Sequence, residues 1–155
     1  RMPEAGEDGV WLIGGDLTTE TNVEESEIIK QRILKGIPTF GVDWDEKIHP
    51  LNANLIERDG VSFDKGCYVG QEVTSRMNWR GGIKKKLYRV QVESPVENLP
   101  CGILTTAKVG VLSSLAMNEA GQHLGIASLP LAVVAEGKAL TLESGQQVTV
   151  LGICH

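Results

Sequence analysis

The sequence predicts an α+β fold: a first part carrying two helices, followed by a small antiparallel β-barrel. Three observations predict it. Apolar residues recur at helical spacing from about Val23 to Lys35 and again from Gly70 to Trp79. From Ile83 onward the pattern changes to short alternating runs broken by glycine turns, as in small barrels and sandwiches. Glycines are many, 18 in 155 residues, and aromatics few, at 5%, which suits turns and strands better than a helical bundle.

The polar opening, Arg1 to Glu7, reads as a loop, and the apolar run Val10 to Ile13 as a strand closed by Gly14-Gly15-Asp16. The first helix has Ile28, Ile29, Ile33 and Leu34 at helical intervals, and Thr21 with Glu24 at capping-box spacing. Gly36 stands where a left-handed cap belongs, and Pro38 prevents continuation. Thr39 to Lys47 mixes Phe40 and Trp44 with Asp43, Asp45 and Glu46, and reads as a ligand-edge loop or a solvated turn, the turn being favoured. Leu51 to Ile56 is expected to be briefly helical, and Val61-Ser62-Phe63 to be a strand leading into the second helix, which sets Val73 and Met77 on one face. Alternation of Tyr88, Val90 and Val92 marks the next strand. Further strands are expected over Val109–Leu115, His123–Leu129, Ala139–Glu143 and Gln146–Leu151, with turns at 118–121 and 144–145. The change of character near Gly82 divides the chain into residues 1–82 and 83–155.

Composition excludes several functions. The formal charge is −5, a poor background for general nucleic-acid binding. Arg76, Arg80, Lys84, Lys85 and Lys86 form a local basic run that reads as a solvated helix end and strand start. Three widely spaced cysteines and three scattered histidines form no zinc pattern or disulfide framework, so a reducing compartment is the default. No run is long enough to span a membrane, and no signal-peptide pattern opens the chain. Because the first residue is Arg1, the chain is expected to be part of a longer protein.

The chemistry concentrates at Lys65-Gly66-Cys67-Tyr68-Val69-Gly70-Gln71-Glu72. A thiol acts as its thiolate, which nearby cations and helix N-terminal amides favour. Lys65 lies two residues before Cys67, and a helix starts shortly after it. Gly66 and Gly70 remove bulk on both sides; Tyr68, Gln71 and Glu72 either meet a flat ligand or serve the local backbone. A strand–loop–helix corner with Cys67 as small filler is the competing reading. Cys101 and Cys154 have no comparable setting.

This octapeptide resembles the K-G-C-Y-x-G-Q-E signature of the YgfZ family of folate-binding proteins, relatives of the glycine-cleavage aminomethyltransferase with mitochondrial counterparts. Flanking stretches agree: Arg32 to Pro38, Pro50 to Leu55, Gly60 to Phe63, Arg76 and Arg80-Gly81. The similarity covers about Ile28 to Val92. It implies that residues 1–82 are the latter part of an aminomethyltransferase-like folate-binding domain and that 83–155 are the family's barrel. It implies a tetrahydrofolate-binding accessory protein that supports iron–sulfur cluster assembly or repair and, through it, tRNA modification. Its partners would be iron–sulfur enzymes or assembly proteins, in bacterial cytoplasm or the mitochondrial matrix. Cys67 is then the functional thiol, with Lys65, Gly66, Tyr68, Gly70, Gln71, Glu72 and Arg76 around it.

Two departures stand out. Asn52, the remaining candidate folate contact, occupies a place where many relatives carry Glu. It hydrogen-bonds but brings no charge. The family's N-terminal region, which would complete the folate pocket, has no counterpart here. Two other functions compete: a true folate-dependent aminomethyltransferase, since fold alone does not fix chemistry, and a non-catalytic module that contacts RNA or protein. No metal ligands are expected.

Overall fold

A computed structural model describes residues 24–155. The expected opening loop, the Val10–Ile13 strand and Thr21 lie outside the described residues. Helix α1 spans Glu25–Lys35. Its N-cap is Glu24, which makes no side-chain capping bond, so the helix starts two residues later than expected. Acidic Glu25 and Glu27 occupy its first turn and basic Arg32 and Lys35 its last, both complementing the helix dipole. Gly36 closes it at φ 71°, with its N–H donating to the Ile33 carbonyl and that of Ile37 to Arg32. Glycine adopts this left-handed conformation without a Cβ penalty.

Residues 51–59 are successive turns and not the expected helical segment. Asn54 and Asp59 take positive φ, 62° and 54°, which interrupts any helical ladder. Val61–Phe63 is not a strand: it finds no ladder partner among the described residues. Helix α2 spans Gln71–Trp79 and starts from Gly70 at φ 87°.

The barrel strands are β1 (Lys85–Val92), β2 (Cys101–Leu104), β3 (Lys108–Met117), β4 (His123–Pro130), β5 (Leu140–Leu142) and β6 (Gln147–Ile153). They close antiparallel in the order β1-β4-β3-β2-β5-β6. Closure leaves no sheet edge to aggregate. Strand β2 and the short helix α3 (Leu131–Ala135) were not marked by the sequence pattern. Alternation sends Tyr88, Val90 and Val92 inward to pack with Ile103, Leu112, Leu129 and Leu142. Gly110 and Gly125 sit where a Cβ would strike the backbone carbonyls of Ser128 and Ser114, so close strand approach requires them.

A second apolar cluster forms on the outer face of the same strands. Leu87 and Ile126 are buried there with Ala53 and Cys154, and Trp44 and Ile48 pack against them. The segment from Trp44 to Asn54 therefore lies on the barrel wall. Asn54 fixes it: its Nδ2 donates to the carbonyls of Leu87 (2.7 Å) and Cys154 (2.9 Å), and its Oδ1 accepts from Leu87 N–H (3.0 Å). Among the described residues no helix is long and apolar enough to cross a membrane.

Candidate functional site

Cys67 lies in the exposed loop that leads into α2, and it is itself exposed, whereas Cys101 and Cys154 are buried. Gly66 and Gly70 are exposed on either side, and a Cβ at either would meet nothing within 4 Å. Gly70 is nevertheless constrained, because its φ of 87° is one that other residues rarely adopt. The Lys65 ammonium lies 5.0 Å from the Tyr68 ring centroid, a cation–π contact. Tyr68 is half-buried, and its hydroxyl is buried without a hydrogen-bond partner among the described residues. Glu72 and Arg76 pair with each other at 2.5 Å on the exposed face of α2, an i,i+4 contact of a few tenths of a kcal/mol. Gln71 is half-buried in the first turn.

The face of α2 is not covered among the described residues. Only Thr74 is buried, with its hydroxyl donating to the Gly70 carbonyl. Val73, on the face it was expected to share with Met77, is 61% exposed, and Trp79 at the helix end is 77% exposed. The basic run also divides: Lys86 is buried on Glu57 at 2.6 and 2.8 Å, and Arg76 is taken by Glu72.

A cleft of about 470 Å³ opens elsewhere, between the 41–52 segment and the barrel wall. Trp44, Ile48, Pro100 and Val111 give it apolar walls; Asn52, His49, Ser113 and Ser128 add polar groups, and Lys47 and Lys85 add charge. Of the candidate site residues only Asn52 lines it. Its Oδ1 is buried without a partner, as is Trp44 Nε1. An acceptor and a donor are thus left unmatched among the cleft's lining residues, each at a cost of about 1–3 kcal/mol if dry.

The cleft wall is held by a buried ion pair that the sequence reading missed. Arg32 Nη1 donates to Asp43 Oδ2 at 2.7 Å, and both side chains are nearly inaccessible. Asp43 also accepts from Thr39 N–H (2.9 Å) and from the Ser113 and Ser114 hydroxyls (2.6 Å each). This carboxylate joins α1, the 39–45 turn and β3. Thr39, 4 positions away, and Arg32, 11 positions away, are near it in sequence, whereas the two serines lie 70 and 71 positions on. Cys154 is the opposite of Cys67. Burial first, and the Asp43 charge second, push its thiol up to about 12, so it stays protonated at neutral pH.

No family model matches the chain. It is 34% identical over 129 residues to the mitochondrial iron–sulfur cluster assembly factor IBA57 of Mus musculus, covering 80% of this chain and 36% of that protein. The Homo sapiens factor of the same name is 38% identical over 104 residues, covering 64% and 29%. The tRNA-modifying protein YgfZ of Yersinia enterocolitica is 40% identical over 56 residues, covering 36% of the chain and 17% of that protein. The chain thus spans about a third or less of these relatives' lengths. Among solved structures, the glycine cleavage system aminomethyltransferase T of Bartonella henselae superposes with a TM-score of 0.62 at 13% identity, over 82% of this chain and 37% of that one. That likeness speaks for the fold alone, and the α+β reading with a terminal barrel agrees with it.

Proposed function

From the premise that this chain belongs to the YgfZ family, with the IBA57 factors among its homologues, we propose that it is the thiol-bearing part of an accessory factor for iron–sulfur cluster assembly. One observation carries the reading: the signature thiol, Cys67, is exposed between two glycines at the foot of a helix, while the other two thiols are buried. An accessory factor needs a thiol that reaches a partner, and only Cys67 meets that condition. Its partners are cluster-assembly proteins or their client enzymes, and any effect on tRNA modification passes through such clients. The site of action is the mitochondrial matrix in a eukaryote and the cytoplasm in a bacterium.

Tetrahydrofolate is the proposed ligand. The residues present fit it: Trp44 offers an aromatic wall and an unmatched donor, Asn52 an unmatched acceptor, and the cleft volume is within the usual ligand range. When bound, folate supplies one-carbon chemistry; this chain's residues bind and orient it. The test is Cys67→Ser in the full-length protein, expressed in cells that lack it, beside Cys101→Ser and Cys154→Ala. Activity of the iron–sulfur client enzymes should fall with Cys67→Ser alone. Full activity in that variant would end the proposal. Methylene transfer to tetrahydrofolate from an aminomethylated carrier would instead favour a true transferase.

A further inference from the structure

The cleft carries charge that the account so far leaves unused. Its ionisable lining residues are Asp43, Asp45, Lys47 and Lys85, with His49 beside them. The Asp43 charge is met by Arg32 and two serine hydroxyls. Asp45 accepts from the Lys47 backbone N–H at 3.0 Å. Lys47 and Lys85 are exposed, come from different elements, and form no ion pair among the described residues. Counting Arg32, cations outnumber carboxylates there by one, in a chain whose net charge is −5. Two uncommitted ammonium groups on the lining of an apolar cleft, against an acidic background, select for an anionic extension on whatever the cleft holds.

We infer that Lys47 and Lys85 form a tail subsite, so that the cleft distinguishes folates by the number of carboxylates on their glutamate tail. The inference rests on the folate reading above and adds a specificity to it. The pterin end gains from the Trp44 wall and the unmatched polar pair, which are the same for every folate. Each added glutamate instead brings a carboxylate that Lys47 or Lys85 attracts. Because both lysines are solvent-exposed, each pairing is modest and sensitive to salt.

The experiment is a calorimetric or fluorescence titration of the full-length protein with tetrahydrofolate monoglutamate and with its triglutamate. At an ionic strength of about 0.05 M the triglutamate should bind roughly three- to tenfold more tightly, and the ratio should approach one at about 0.5 M. Lys47→Gln and Lys85→Gln should each reduce the ratio about two- to threefold, with thermal stability unchanged. Arg80→Gln, exposed but outside the cleft, should leave it intact. Equal affinities for both forms, or a ratio indifferent to both lysine variants, would overturn the tail subsite and leave folate binding standing. Binding of neither form would overturn both.

Discussion

Replacing Asp43 by alanine should cost this protein more than any surface change. The Arg32 guanidinium would remain in place with its side chain only 8% exposed and its counter-charge removed. Breaking a buried pair from one side costs about 3–5 kcal/mol. The Thr39 N–H also loses its acceptor, adding about 1–3 kcal/mol if water does not enter. Other contacts soften the loss: Arg32 keeps the Ile37 carbonyl and Ser114, and Ser113 keeps the Ile126 carbonyl. The expected net is about 4 kcal/mol, a large share of the roughly 5–15 kcal/mol typical of a domain. Urea unfolding followed by tryptophan fluorescence should show a midpoint lower by about 2 M at ordinary slope. Removing both charges, Arg32→Met with Asp43→Leu, should recover more than half of the loss, because no unpaired ion is then buried. A loss below about 1 kcal/mol for Asp43→Ala, or a double variant no better than the single one, would refute this reasoning.

Other outcomes follow from the same packing. Asn54→Ala strands the Leu87 N–H and the Cys154 carbonyl and puts alanine at φ 62°; equilibrium unfolding should show a loss of about 3–5 kcal/mol. Cys154 titrates at about 12 when folded, against an ordinary 9.0. A raised folded value means the unfolded chain releases the proton first, so the stabilisation is complete below about 9 and is lost as pH rises toward about 12. Denaturation measured from pH 8 to 11 should therefore show falling stability, less steeply in Cys154→Ala. Tyr88, raised first by burial and then by the Glu57 charge, adds to the slope in the same direction and should preserve part of it in that variant.

Local pattern was legible where local physics decides. Period-two alternation survives in β1 because its inward residues fill the barrel, and Gly36 ended α1 because a left-handed cap needs no distant partner. Long-range pairing was hidden. Nothing near Asp43 in sequence announces that Ser113 and Ser114, some 70 positions on, will complete its hydrogen bonds. The Leu51–Ile56 stretch reads as helical, yet Asn54 bonds to residues 33 and 100 positions away and takes the segment out of the helix. The α2 pattern sets Val73 and Met77 on one face, but Val73 stays open among the described residues. At the candidate site, the octapeptide located the exposed thiol. The cleft escaped notice because its walls come from five stretches of chain that meet only on folding.

The central claim is that Cys67 alone is presented for chemistry outside this chain. Alkylation of the native full-length protein at neutral pH, mapped by mass spectrometry and followed by assay of cluster transfer to a client enzyme, tests it most directly. The account predicts modification at Cys67, none at Cys101 or Cys154 until unfolding, and loss of transfer in step with Cys67 labelling. Full transfer by protein completely labelled at Cys67 would contradict it.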